Sequence, residues 1–188
     1  MVSFSIFIIE PPSTRWNDDD KRRLAPIHDR LDRSGARNVQ VRTPKSVGNE
    51  LADLEGKLDL VLIDAPCTGI GAWRRNPDAK WRVRPGALEV RVKEQAETLE
   101  RAVPLVRPGG RIAYITCSLL AEENGDRVAA FLAAHAEFAV LPVDEMVRAL
   151  PGRAAEFGAA VLVTAEGLLM TPRRTGTDGF FVAIMTRK

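Results

Sequence analysis

Short apolar runs alternate with segments whose apolar residues recur at helical spacing, and this alternation predicts strands and helices in turn. The predicted strands cover residues 2–9, 39–41, 58–63, 111–116, 138–141, 168–171 and 180–185. The predicted helices cover residues 18–34, 85–106 and 122–135. Residues 10–17 contain two prolines and are expected to form a connection. Glu122 and Glu123 are expected only to cap the third helix.

This order of elements, with short connections, favours an α/β fold with a doubly wound, mostly parallel sheet. The run 58–63 is apolar except for Asp59, as expected of a parallel strand that is covered on both faces. In such sheets, ligands bind beyond the carboxyl ends of the strands. Functional residues are therefore expected directly after the strands.

Size and charge narrow the class of protein. The chain has 188 residues and a formal net charge of +2, which favours one domain whose basic surface, if present, is local. No apolar run approaches the ~20 residues needed to cross a bilayer, and residues 2–9 lack the features of a signal peptide. The two cysteines make no disulfide framework, and His28 and His135 stand apart. A cytoplasmic protein without a metal site is therefore expected.

Both cysteines of the chain follow predicted strands. Cys67 comes four residues after Ile63 in the stretch LDLVLIDAPCTGIG, and Cys117 directly follows the strand IAYIT. If these strands are parallel neighbours, their ends meet at one edge of the sheet and the thiols can approach each other. The alternative is that both cysteines are buried and act as small apolar residues, their usual environment.

Four motifs in a fixed order carry a resemblance to one enzyme family. They are DAPCTGIG (64–71), RRNPDAKW (74–81), RPGGRIAYITCSLLAEEN (107–124) and DGFF (178–181). Over roughly residues 18–188 the chain resembles the RNA 5-methylcytosine methyltransferases of the Sun or RsmB-like family. The resemblance implies a Rossmann-like fold, S-adenosylmethionine as cofactor, and methylation of carbon 5 of a cytosine in RNA. Ribosomal RNA is the expected substrate.

The resemblance also implies roles for individual residues. Cys117, in the Thr-Cys-Ser motif, would be the nucleophile, and Cys67 would assist release of the methylated product. Asp64 and the adjoining Pro66 would lie beside the cofactor, and Asp18 would bind its ribose. The residues alone leave alternatives: Asp64 as the cap of a loop, and Asp18 as part of a charge cluster at a helix start.

A basic and aromatic segment follows the first cysteine motif. Arginine and lysine pair with phosphates while splayed bases stack on aromatic rings, so this segment suits single-stranded RNA. The residues predicted to contact RNA are Trp73, Arg74, Arg75, Lys80, Trp81 and Arg82. The alternative is a solvated loop whose two tryptophans pack on the core.

One feature of the family is not found. A glycine-rich cofactor loop is expected upstream of Asp18, yet Gly35 is the first glycine of the chain. The resemblance therefore describes the carboxyl-terminal part of a catalytic domain, residues 18–188, after an atypical segment, residues 1–17. Because loss of a central strand leaves two unpaired edges, residues 2–9 are expected to insert as a replacement strand. The alternative is a homodimer in which the exposed sheet edge pairs with a second copy.

Two other functions stay open at this point. A domain that kept the fold but lost the cofactor loop would bind RNA without transferring a methyl group. A DNA cytosine-5 methyltransferase would use the Pro-Cys cysteine, Cys67, as its nucleophile. The Thr-Cys-Ser and DGFF motifs argue against the DNA enzyme.

Overall fold

Strands and helices alternate along the part of the chain that the computed structural model describes, namely residues 5–10, 13–18, 21–35, 37, 39–42, 51–148, 150 and 152–188. The strands there are β1 (Ser5–Glu10), β2 (Ser13–Asp18), β3 (Val39–Arg42), β4 (Leu58–Asp64), β5 (Val106–Thr116), β6 (Phe138–Val140), β7 (Leu162–Val163), β8 (Leu168–Met170) and β9 (Phe180–Arg187). The α-helices are α1 (Lys21–Ser34), α2 (Ala87–Ala102), α3 (Gly125–Ala134), α4 (Val143–Arg148), α5 (Ala154–Ala160) and α6 (Pro172–Thr175).

The strands form one mixed sheet in the order β3-β2-β1-β4-β5-β9-β8-β7, with β6 also paired to β9. The α/β class is confirmed. The expectation of a mostly parallel sheet is wrong for the described strands, because only β2–β3 and β4–β5 pair in parallel and the other pairings are antiparallel. The turn between β7 and β8 is too short for the crossover that parallel neighbours need.

β1 is the strand predicted to insert into the sheet. It lies between β2 and β4 and runs antiparallel to both. The predicted replacement strand is therefore present over Ser5–Glu10. Its register places Ser5 opposite Asp18 on one side and opposite Asp64 on the other.

Two local predictions around β2 are wrong. The expected connection at residues 10–17 contains β2, because Ser13–Asp18 gains backbone hydrogen bonds from β1 on one side and β3 on the other. For the same reason α1 begins at Lys21 and not at residue 18. Gly35 ends this helix as predicted, with a φ of 69° in the left-handed region that glycine tolerates.

The main core lies between the central strands and helices α2 and α3. Three consecutive residues of β5, Ile112, Ala113 and Tyr114, are all buried, so this strand is covered on both faces. Leu99 of α2 and Phe131 of α3 belong to the same core. In the described part of the chain, no helix is both long and apolar enough to cross a membrane.

Candidate active site

The ends of β4 and β5 bring the two cysteines together. These strands are parallel neighbours with Asp64 opposite Ile115, and Ala65 N–H donates to the Ile115 carbonyl at 2.8 Å. The chain then places Cys67 and Cys117 in adjacent loops, with their Sγ atoms 3.3 Å apart. Neither cysteine forms a disulfide, and both side chains are half-buried. The predicted meeting of the thiols at the carboxyl edge is observed.

The two thiols are chemically unequal because they share one hydrogen bond. Either sulfur could donate in this bond; with the Cys67 S–H as the donor, it holds the pKa of Cys117 below its ordinary value, against the opposing effects of burial and of the Asp64 carboxylate. The same bond, together with burial, raises the pKa of Cys67. Cys117 is therefore the thiol of the pair that ionises more readily, and the thiolate is the reactive form of cysteine.

The Glu123 carboxylate, to which the sequence analysis assigns no chemistry, binds the residue that follows Cys67. Glu123 was expected to cap a helix, but its side chain is fully buried and accepts hydrogen bonds at both oxygens. Thr68 N–H donates to Oε1 at 2.8 Å and the Thr68 hydroxyl donates to Oε2 at 2.5 Å. The only cue in the sequence is its position six residues after Cys117. Burial made the difference, because a buried carboxylate must find donors.

Further hydrogen bonds fasten both cysteine loops to the core. Gln95 of α2 donates through Nε2 to the Pro66 carbonyl at 2.8 Å and to Glu123 Oε1 at 3.1 Å. The Tyr114 hydroxyl donates to the Glu123 carbonyl at 2.8 Å. Beyond Cys117, Asn124 accepts from the Thr116 hydroxyl at 2.6 Å. Hydrogen bonds from core residues thus fix the backbone around each thiol.

Two glycines let the loop after β4 contact the start of β9. Gly71 N–H donates to the Cys117 carbonyl at 3.0 Å, and Gly179 N–H donates to the Gly71 carbonyl at 2.8 Å. A Cβ on Gly71 would lie against the Gly179 carbonyl oxygen and within 2.9 Å of the Cys117 carbonyl oxygen. The nearby ion pair between Arg75 Nε and Asp178 Oδ2, at 2.6 Å, holds the same two segments. The DGFF motif therefore braces the cysteine site.

Five of the six residues predicted to contact RNA are exposed, namely Arg74, Arg75, Lys80, Trp81 and Arg82, whereas Trp73 is half-buried. Two of the exposed residues also hold the loop on the domain, because Arg74 and Arg75 are hydrogen-bonded to Gly176 and Asp178.

Asp18 and Asp64 end neighbouring parts of one sheet edge. Both lie opposite Ser5, so their backbones are two strand spacings, roughly 10 Å, apart. The Asp64 side chain is exposed at this edge. β1 begins at this edge instead of ending there. Pro66 lies in the adjoining loop, where its carbonyl is bound by Gln95.

Comparison with known proteins agrees with the motifs. The family "16S rRNA methyltransferase RsmB/F" matches residues 14–186. Ribosomal RNA small subunit methyltransferase B of Sodalis glossinidius is 37% identical over 175 residues, which is 91% of this chain and 35% of that protein. The chain thus spans between 27% and 35% of the length of the curated relatives compared.

Solved structures share the fold. The crystal structure of PH0851 superimposes with a TM-score of 0.75 at 33% identity, over 90% of this chain and 35% of that one. NSun6 from Pyrococcus horikoshii, solved with SFG, gives a TM-score of 0.63 at 24% identity, over 91% of this chain and 40% of that one. The second likeness concerns the fold alone.

Proposed function

The chain belongs to the RsmB/F family of 16S rRNA methyltransferases, and we propose that its cysteine pair methylates carbon 5 of a cytosine in ribosomal RNA. The observation that carries the proposal is the pair of thiols 3.3 Å apart, of which Cys117 ionises more readily. The family is one of S-adenosylmethionine-dependent enzymes, and that cofactor supplies the methyl group when bound. Asp64, Asp18 and the loop at Pro66 are the groups proposed to hold it.

Cys117 is proposed to act as the nucleophile. Carbon 5 of cytosine is a poor nucleophile, but addition of the Cys117 thiolate to carbon 6 moves electron density onto carbon 5. After carbon 5 has gained the methyl group, a base removes its proton. The bond between Cys117 Sγ and carbon 6 then breaks, and its electrons return to sulfur.

Cys67 is proposed to promote this last step. Its sulfur lies 3.3 Å from Cys117 Sγ, and with its S–H as the donor it would stabilise the thiolate that leaves when product is released. Without that donor the leaving thiolate is less stable, and the covalent adduct persists longer. This gives Cys67 a role in release that differs from the nucleophilic role of Cys117.

RNA is proposed to bind along the exposed part of the loop after β4. Trp81 offers a stacking surface for a base, and Lys80 and Arg82 offer positive charge to phosphates. Because the net charge of the chain is only +2, such a local patch is needed for nucleic-acid contact.

The first test of the reaction is trapping of the covalent adduct. A cytosine with fluorine at carbon 5 cannot lose a proton there, so an RNA that carries this base should remain bound to Cys117 after methylation. We expect a gel-stable complex that Cys117→Ala abolishes. With normal RNA, Cys67→Ala should accumulate adduct. Loss of the adduct in Cys67→Ala but not in Cys117→Ala would overturn the assignment and indicate chemistry of the DNA cytosine-5 type.

A second candidate, an RNA-binding domain without methyl transfer, is favoured by the reversed direction of β1. Calorimetric titration of the chain with S-adenosylmethionine separates the two. Binding in the micromolar range supports the enzyme. A folded sample that gives no heat with the cofactor, yet binds RNA, supports the binding domain.

A further inference from the structure

Glu123 joins the two loops that carry the cysteines. It belongs to the segment after Cys117, and its carboxylate binds both the N–H and the hydroxyl of Thr68, which directly follows Cys67. We propose that Glu123 is a positioning residue: by holding Thr68 it aims the Cys67 thiol at Cys117 Sγ. The inference rests on the proposed function only in taking Cys117 as the nucleophile of the reaction.

The surroundings of Glu123 support a specific task for it. Burying a carboxylate among uncharged groups is unfavourable unless its oxygens receive hydrogen bonds. Among the described residues, Glu123 takes part in no ion pair, and its partners are the neutral donors of Thr68 and Gln95. Two of these three bonds come from the residue next to Cys67. The carboxylate is therefore oriented toward the cysteine loop.

The charge of Glu123 and its positioning of Cys67 change the pKa of Cys117 in opposite directions. The negative charges of Asp64 and Glu123 both oppose ionisation of Cys117, and Glu123 also opposes that of Cys67. Burial also raises the pKa of the nearby Tyr114 hydroxyl, which donates to the Glu123 carbonyl. The hydrogen bond with Cys67 and a local backbone bond favour the Cys117 thiolate. Removing the charge of Glu123 should therefore lower the pH midpoint of Cys117 alkylation, whereas losing the positioning of Cys67 should raise it.

The test is the pH dependence of thiol alkylation in the full chain. Iodoacetamide labelling is followed for each cysteine by peptide mass spectrometry, without RNA or cofactor. In the unsubstituted chain, Cys117 should react first, with a midpoint below the ordinary cysteine pKa. Glu123→Ala should raise this midpoint by about one pH unit, since Cys67 is no longer held as a donor. The preference for Cys117 over Cys67 should fall by about tenfold.

Glu123→Gln is the matched control. Its amide oxygen can still accept the Thr68 N–H, and its amide nitrogen can donate to the Thr68 hydroxyl. Position is kept while charge is lost, so the Cys117 midpoint should fall and the preference for Cys117 should remain. Preferential labelling of Cys67 in the unsubstituted chain would overturn the proposal. The proposal would also be overturned if the Cys117 midpoint fell in both variants, or if Glu123→Ala left it unchanged.

A second variant covers the case in which Glu123→Ala does not fold, as judged by circular dichroism. Thr68→Val keeps the carboxylate and removes one of its donors, so it should raise the midpoint in the same direction by a smaller amount. An unchanged midpoint in Thr68→Val would then reject the proposal. Absence of methyl transfer in a chain that passes these tests would count against the proposed function alone.

Discussion

Two tryptophans of the loop after β4 have opposite environments. Trp81 is 79% exposed, and the Lys80 Nζ lies 4.8 Å from its ring centroid. Trp73 is half-buried, and its indole Nε1 is buried without a hydrogen-bond partner among the described residues. An exposed ring beside a cation can stack on a base, whereas a ring turned inward contributes to packing. The two side chains should therefore respond differently to the same substitution.

Trp81→Ala should weaken binding of a single-stranded RNA by about 1–3 kcal/mol, the usual effect of losing one stacked base. Its free energy of unfolding should stay within about 0.5 kcal/mol, because the ring is exposed. Trp73→Ala is the matched control and should lower the free energy of unfolding instead. Fluorescence anisotropy with a labelled oligoribonucleotide at fixed salt measures the first effect. Equal RNA affinity of Trp81→Ala and the unsubstituted chain would contradict the stacking role.

Close contacts between elements depend on small residues at the junctions. Gly71 has no room for a side chain where the loop after β4 meets β9, because carbonyl oxygens of Gly179 and Cys117 occupy that space. By contrast, Gly158 lies inside helix α5, and a Cβ there would meet only the Val147 side chain, at 3.2 Å. A side chain can shift by a few tenths of an ångström more easily than backbone.

Gly71→Ala should lower the free energy of unfolding by about 1–3 kcal/mol, as expected for overpacking. It should also slow alkylation of Cys117, since the Cys117 carbonyl must move. Gly158→Ala is the matched control and should be neutral or stabilising by up to about 1 kcal/mol, because alanine favours helix. Urea unfolding measures both. A Gly71→Ala chain as stable as the Gly158→Ala chain would show that the loop contact is not close-packed.

Helices α2 and α3 are joined at their ends by a histidine. His135 follows the last residue of α3, and its Nε2 lies 2.9 Å from Glu100 Oε1 of α2. The bond with Glu100, aided by Glu137, raises the pKa of His135 above its ordinary value. Protonated His135 also complements the negative end of the α3 dipole.

The free energy of unfolding should therefore depend on pH through His135. Because its pKa is raised in the folded chain, the added stability is fully present below the ordinary histidine pKa of about 6.5 and is lost as pH rises through the folded value. His135→Gln should lower stability more at pH 5.5 than at pH 8.5, the two pH values proposed for the test. Glu100→Gln should reduce this pH dependence. Urea titrations at both pH values test it, and an equal loss at each would refute the ion pair.

Among the described strands, β1 joins the part of the sheet formed by β2 and β3 to the part that begins with β4. β1 pairs with β2 on one side and β4 on the other, and the α1–β3 unit reaches the cysteine-bearing half through these pairings. A strand that pairs on both sides cannot lose a backbone donor without leaving an acceptor unpaired. The integrity of the molecule should therefore be sensitive to changes in the β1 backbone.

Ile8→Pro should lower the urea midpoint and promote association, because proline removes a ladder donor and frees sheet edges. Ile8→Val keeps the N–H and should behave nearly as the unsubstituted chain. Light scattering coupled to gel filtration measures association. A monomeric Ile8→Pro chain with an unchanged urea midpoint would show that β1 does not hold the sheet together.

Local pattern was sufficient for much of the architecture and for the cysteine pair. The apolar runs ahead of Cys67 and Cys117 predict buried strands, and parallel strands in one sheet end at one edge. The thiols therefore had to meet if those two strands were neighbours. Helices α4 and α5, of six and seven residues, were not predicted because they are too short to show a helical period.

By itself the sequence determined the α/β class, the family motifs and the two thiols at a strand edge, since these follow from spacing along the chain. Only the tertiary structure decided the direction of β1, the burial of Glu123 and which tryptophan faces solvent. A strand's direction is set by partners far away in sequence, and the environment of a polar side chain is set by what packs over it. Neither property produces a periodic pattern in the local sequence from which it could be predicted.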